Sequence, residues 1–326
     1  MRGANYTDPV SKPNARPRLI IIVGSTCTGK TEMCLKIARE MGLEIISADS
    51  MQVYRYMDIG TAKPSREERE EVPHHLIDVV TPDQPFNAAM YADMARKIID
   101  GAGRQPMKPF LVVGGSGLYI KALLWGIFDG PPADESIRKF YKEQLGKFGK
   151  TYLYGILKEK DPRAAAAIDP GNPSRIIRAL EVWEQSGRSI VEQQQEHRFE
   201  DRPYDYIKIG LKMARNLLWE RIERRTEAMI RQGLVEEVRW LLNHGYHEDL
   251  KSMQSLGYRQ IVEYLKGNLS REEAASMISR DTRKYAKRQM TWFDADSEVE
   301  WYDVNDIASI GERIKAFLSE AVAGAQ

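Results

Sequence analysis

The chain has 326 residues, enough for a full hydrophobic core and more than one structural unit. Hydrophobic residues make up 42% and charged residues 29%, and a net charge of +1 excludes a surface that is basic throughout, so any contact with nucleic acid must come from local clustering. The two cysteines, Cys27 and Cys34, exclude a disulfide framework, and the lack of CxxC or His-rich spacing argues against structural zinc.

Residues 1–17 hold Asp8, three prolines and no amphipathic period, which reads as a disordered tail rather than an organelle address. The aliphatic run Leu19 to Val23 is far too short to span a bilayer. The chain is therefore expected to be cytoplasmic, away from membranes and monomeric. That same run, β-branched and unalternating, reads as a buried strand stopped by Gly24. It leads into "GSTCTGKT": Gly24, Ser25, Thr26, Cys27, Thr28, Gly29, Lys30 and Thr31 fit the phosphate-loop pattern G-x-x-x-x-G-K-[ST]. A helix follows, with Met33, Ile37 and Met41 on one stripe and Gly42 as its stop.

A second strand, Leu43 to Ile46, ends near Asp49. A third, Phe110 to Val113, runs into Gly114–Gly117 and a helix from about Leu118. Strand, turn and helix in this order predict an α/β fold: a phosphate-loop core with a parallel sheet flanked by helices, its ligands at the carboxyl ends of the strands. From Asp129 to about Arg202 the texture is charged and helical, which predicts an inserted all-helical domain over 130–202 within a core of 18–129 and 203–326. Tyr204 to Met213 reads as a return to the sheet, and Asn216 to about His244 as a helix interrupted at Gly233. A last long helix opens at Ser270, which has capping-box spacing to Glu273.

Glycines in the phosphate loop let backbone N–H groups turn inward, Lys30 reaches phosphate oxygens, and the Thr31 hydroxyl holds Mg²⁺. A phosphotransferase usually needs a second acid on an apolar strand. The third strand ends in "GGSG" without one, Asp78 in "HLIDVV" has a weak apolar flank, and Asp49 is the better-placed carboxylate. Asp49 serves either as a turn cap or as a base beside the phosphate cradle. Arg221 and Arg225, at i,i+4, project from one helix face. "RDTRKYAKRQMTWF" sets Arg280, Arg283, Lys284, Lys287 and Arg288 among Tyr285, Trp292 and Phe293: a solvated face, or a surface for stacked bases and phosphates. Arg175 and Arg178 add a further basic pair in the insertion.

Taken together, "GSTCTGKT", "ISADSMQVYRYMDIGTAKP", "VPHHLIDV", "VVGGSGLYIKAL", "DPGNPSRIIRALEV", "RIERRTEAMIRQGLVEEV", "QSLGYRQ" and "TRKYAKRQMTWF" resemble the tRNA dimethylallyltransferases, in the family's order from about residue 19 to 293. The resemblance implies transfer of a dimethylallyl group from dimethylallyl diphosphate to N6 of adenosine 37 in the tRNA anticodon stem-loop, for tRNAs reading codons that begin with U. It implies that the phosphate loop, with Mg²⁺ on Thr31 and with Arg221 and Arg225, holds the departing diphosphate. Asp49, Ser116, Lys30 and Thr31 are then the expected catalytic residues, Asp49 as the base and Ser116 where threonine is usual. Three implied tRNA-contacting segments are Asp49, Ser50, Met51 and Gln52; Ser174, Arg175, Ile176, Ile177 and Arg178; and Gln254, Ser255, Leu256, Gly257, Tyr258 and Arg259. Arg283, Lys287 and Arg288 join them, with the insertion clamping the anticodon stem. Ser25 stands where proline is more usual, and the zinc finger of some eukaryotic members has no counterpart, which favours a bacterial-type enzyme. Rival readings are an adenylate isopentenyltransferase acting on free nucleotide, a small-molecule kinase, and a non-catalytic RNA-binding protein.

Overall fold

The computed structural model describes residues 16–101, 108–127, 130–197 and 202–323, so all but the last two residues of the expected tail lie outside it. In chain order the elements are β1 (Arg18–Gly24), α1 (Lys30–Met41), β2 (Glu44–Ser47), α2 (Arg66–Glu71), β3 (His74–His75), α3 (Ala88–Gly101), β4 (Phe110–Val113) and α4 (Gly117–Trp125). Four helices follow: α5 (Glu135–Lys160), α6 (Pro162–Ala167), α7 (Pro173–Ser186) and α8 (Ile190–His197). The chain then runs through β5 (Asp205–Lys212), α9 (Arg215–Arg231), α10 (Leu234–Asn243), α11 (Tyr258–Leu265), α12 (Arg271–Asp294), β6 (Val299–Asp303) and α13 (Ile307–Ala323). It divides into two compact units, Met1–Leu124 with Arg202–Gln326, and Trp125–Asp201. No helix among the described residues is long and apolar enough to cross a membrane.

The sheet has the strand order β3-β2-β4-β1-β5-β6, and every pairing is parallel. β1 lies in the interior, with Leu19 opposite Phe110 on one side and Tyr206 on the other. This position explains its unbroken apolar run, since Leu19 to Val23 are all 0% exposed and both faces are covered. Alternation directs Ile20 and Ile22 toward a core shared with Met33, Ile37, Ile310, Ile314 and Phe317 of α1 and α13. α12 also packs on β1. Because β4 separates β1 from β2, the loops after these three strands gather at one carboxyl edge, a topological switch point.

α1 starts at Gly29 and stops at Gly42, whose left-handed backbone lets its N–H bond to Ala38 O, as the sequence predicts. The capping box on α12 is also present: Ser270 Oγ accepts from Glu273 N at 3.1 Å, and Glu273 Oε2 accepts from Ser270 N at 2.7 Å. The expected break at Gly233 separates α9 from α10. The sequence reading has no counterpart for α2, α3, α11, α13, β3 or β6. β3 has only two residues, and β6 is an edge strand whose residues past Val299 are half-buried or exposed, which leaves no apolar run to read.

The helical unit has its own core, including Tyr141, Leu153, Leu157, Ile176 and Leu180. Side chains cap its helices: Asp134 accepts from Ser136 N and Ile137 N, Asp161 from Ala164 N, and Asn172 from Arg175 N. Pro162 and Pro173 occupy first-turn positions that need no N–H.

Candidate diphosphate and RNA site

Residues 24–31 form the turn from β1 into α1. Inside it Thr28 Oγ1 donates to Ser25 O at 2.8 Å, and Lys30 Nζ donates to Gly24 O at 2.9 Å and Ser25 O at 2.6 Å. Burial of Lys30 drives its pKa down to about 8, against the opposing charge of Asp49. Ser25 is fully buried and its hydroxyl has no partner among the described residues, so this residue serves the loop through its backbone. Thr31 is exposed in the first turn of α1.

The paired arginines of α9 both reach this loop. Arg221 Nη1 donates to Thr28 O at 3.3 Å; Arg225 Nη1 donates to Thr26 Oγ1 at 2.9 Å and approaches Cys27 Sγ at 3.5 Å. Among the described residues neither arginine forms an ion pair with a carboxylate. Two uncompensated guanidinium groups, a lysine and a helix N-terminus therefore converge on one turn, an arrangement suited to a multiply charged phosphate ligand.

Asp49 lies just beyond β2. Its Oδ1 accepts from Met51 N at 2.8 Å and Gln52 N at 3.4 Å, which fixes the turn, while Oδ2 has no protein donor among the described residues. The turn-cap reading and the free-carboxylate reading thus apply to different oxygens of one side chain. Ser116 Oγ accepts from Ser50 N at 3.0 Å, so its contact is with the Asp49 turn. Gln52 is braced by Ser47 Oγ at 2.9 Å and donates to Ala62 O at 3.3 Å.

Two cavities adjoin here. The first, of about 390 Å³, is lined by Lys30, Thr31, Asp49, Arg221, Arg225 and Gln289 among others. The second, of about 520 Å³, takes in Ser50, Met51, Ser255, Leu256, Gly257, Arg259 and Arg288. Thr26, Cys27, Asp49, Thr61, Arg225 and Tyr285 line both. Desolvation, reinforced by the nearby Asp49 charge, raises the pKa of Tyr285 and keeps it a neutral phenol.

The structure places the expected RNA-contacting residues unequally. Ile176 and Ile177 are buried in the core of the helical unit, so their side chains are unavailable, whereas Ser174 and Arg175 are exposed. Arg178 is committed to fully buried Glu181, with Arg178 Nη1 to Oε2 at 2.6 Å, and Arg138 completes that cluster. Tyr258 is buried, its hydroxyl donating to Glu237 Oε1 at 2.6 Å. Gln254 is exposed but lines neither shared cavity, its amide donating to Glu248 O at 2.7 Å. Arg283 pairs with Glu223 and lies over the Trp219 ring, while Lys287 is exposed and also lines neither cavity. Asp78, the alternative acid, is held by Lys63 at 2.6 Å and Arg69 at 2.6 Å, away from the phosphate loop.

Two site residues escaped the sequence. Gln289 is buried and joins the phosphate loop to the Gly115 turn. Glu237 accepts from the backbone N–H groups of Asp58, Ile59 and Gly60 at 2.9, 2.7 and 3.1 Å, and so anchors the segment bearing Gly60 and Thr61 of the second cavity. "KRQMTWF" marks the neighbourhood of the first and "RIERRTEAMIRQGLVEEV" that of the second, but neither motif singles out the residue itself.

The fold and this site define an α/β protein with a parallel sheet, whose cavity lined by Lys30, Arg221 and Arg225 adjoins a second, partly basic one. The IPP transferase family profile matches residues 52–296. A tRNA dimethylallyltransferase 2 from Syntrophus aciditrophicus (strain SB) is 56% identical over 288 residues, covering 88% of this chain and 92% of that protein. One from Geotalea uraniireducens (strain Rf4) is 51% identical, with 88% and 92% covered. The crystal structure of the full-length tRNA isopentenylpyrophosphate transferase from Bacillus halodurans superposes with a TM-score of 0.69 at 38% identity, covering 94% and 98% of the two chains. The chain belongs to the IPP transferase family, the one its motifs resemble.

Proposed function

We propose that this chain transfers a dimethylallyl group from dimethylallyl diphosphate to N6 of adenosine 37 in tRNAs reading codons that begin with U. One observation carries the reading: Asp49 and Arg225 line both cavities, so the anion-binding side and the RNA side meet at a carboxylate and a guanidinium. The diphosphate occupies the first cavity, on Lys30, Arg221, Arg225 and the loop N–H groups. An adenine drawn out of the anticodon loop enters the second. N6 forms a bond to C1 of the donor, the C1–O bond breaks, and its electron pair leaves with diphosphate. The N6 proton passes to Asp49 Oδ2, the oxygen without a protein donor, while Oδ1 stays fixed by the turn. The guanidinium groups and Lys30 stabilise the charge that builds on the leaving oxygen. Ser116 acts indirectly, through Ser50 N and the Asp49 turn.

Among the described residues no group of three or more His, Cys, Asp or Glu side chains could hold a metal alone, and the cavity lining includes the exposed Thr31. That donor set fits Mg²⁺ carried mainly by diphosphate and water oxygens, with Thr31 holding it and the ion neutralising leaving-group charge when bound. Incubation with labelled dimethylallyl diphosphate and either an anticodon stem-loop or AMP tests the reading. Label in the RNA is expected; label in AMP, or in neither, would overturn it.

A further inference from the structure

α12 carries Asp281, Tyr285, Gln289 and Trp292 at steps of four, four and three residues, which places all four along one face. Each meets a different part of the site. Asp281 Oδ2 accepts from Arg259 Nη2 at 2.9 Å and Gln260 Nε2 at 3.0 Å on α11. Tyr285 lines both cavities. Gln289 uses both ends of its amide: Oε1 accepts from Thr26 N at 2.8 Å, and Nε2 donates to Gly115 O at 3.0 Å. Trp292 closes over Gly117, where a Cβ would collide with the indole.

The Gln289 contacts are tight and polar at once. The residue is 6% exposed, and a Cβ at Gly115 would strike its amide nitrogen, so the turn after β4 approaches the helix as closely as glycine allows. A side chain without both polar ends would leave the Thr26 N–H, the Gly115 carbonyl or both unpaired in the lining of the first cavity. The Gly115 turn also continues into Ser116, which holds Ser50 N and thus the Asp49 turn. One neutral amide therefore ties the loop after β1 to the loop after β4, which in turn supports the loop after β2.

We infer that Gln289 is a positioning residue for the prenyl donor: its amide fixes the phosphate loop against the Gly115 turn at the spacing that binds diphosphate, and α12 sets the separation between that anion and the base cavity. The inference rests on the first cavity being the donor's site. Gln289→Met keeps the length and removes both polar ends, and Gly115→Ala pushes the amide away from the other side. Titration calorimetry with inorganic diphosphate, and separately with an anticodon stem-loop, gives the two affinities. Each variant is expected to weaken diphosphate binding and raise the donor KM by ~10-fold, the scale of two lost hydrogen bonds, with RNA affinity within ~2-fold. The double variant should be no worse than either single one, because both remove the same clamp. Gln289→Glu keeps the size and the acceptor but places a carboxylate beside the bound anion, so it should weaken diphosphate binding further; a thermal melt near that of wild type separates this from unfolding. Wild-type diphosphate affinity in the Met and Glu variants would overturn the inference, as would a parallel loss of RNA affinity. If the unaltered protein failed to bind diphosphate, the reading of the cavity would fall first, and the inference with it.

Discussion

Lys30 and Asp49 line one cavity and their charges interact, but burial dominates at the lysine and brings its pKa to about 8. Below that value Lys30 is a cation ready for a phosphate ligand; above it the free protein loses that charge. The donor kcat/KM is therefore expected to fall as pH rises through about 8, by up to ~10-fold per pH unit, while Lys30→Met flattens this limb. The stability effect has the opposite sense. A lysine depressed in the folded state and near 10.5 when unfolded favours the unfolded chain below about 8, and this penalty disappears as pH rises toward 10.5. Bound diphosphate should offset it. For Asp49, replacement by asparagine keeps an Oδ1 acceptor for the turn but removes the base. Turnover should fall ~10²–10⁴-fold with RNA affinity nearly unchanged, and near-normal turnover would end the proposed role. These residues were legible because each follows a strand or stands at i,i+4 on one helix. Gln289 was not: its partner Thr26 is 263 positions away, and only the fold brings them together.

At the scale of elements, α9 and α12 lie together and bring basic side chains to the site in different ways. Arg221 and Arg225 point to the phosphate loop, while Arg288 lines the second cavity and Lys287 is exposed. Arg283 is occupied by Glu223 and Trp219. Replacing Lys287 and Arg288 with alanine should reduce the slope of log K for tRNA against log salt by ~1–2, about one unit per lost phosphate contact, whereas Arg283→Ala should lower the melting temperature and leave the slope alone. Equal slopes for all the proteins would make this face a solvated one. α10 acts through Glu237, the acceptor for three loop N–H groups and the Tyr258 hydroxyl, which desolvation and the Glu237 charge keep protonated. Glu237→Ala leaves those donors unpaired and should destabilise the fold by ~2–3 kcal/mol in denaturant titration. Helix boundaries were readable from caps and glycines, yet the pairing of Arg283 with Glu223 was not, because that depends on the neighbouring helix. α7 shows the same limit: the expected contact segment Ser174 to Arg178 is continuous in the sequence, although Ile176 and Ile177 lie in the core and Arg178 turns to Glu181.

Across the whole molecule, none of the sheet strands comes from the helical unit, and each unit has a separate apolar core. The core of the helical unit also encloses a charged group. Glu181 is 0% exposed and accepts from Arg138, Arg178 and Asp134 N, contacts that keep its carboxyl below the usual range against the opposing pull of desolvation. Because the residues proposed to hold diphosphate all lie in the sheet unit, ligand binding should stabilise that unit first. At 100 times its Kd a ligand adds ~2.7 kcal/mol to whatever unfolds with its site. Hydrogen exchange with and without inorganic diphosphate measures this directly. Amides of β1, such as those of Ile20 and Ile22, should gain that protection, while Leu153 and Leu180 in the helical core exchange as before. Equal gains in both cores would show that the two units unfold as one, and the helical unit would then contribute to donor binding through the stability of the whole chain.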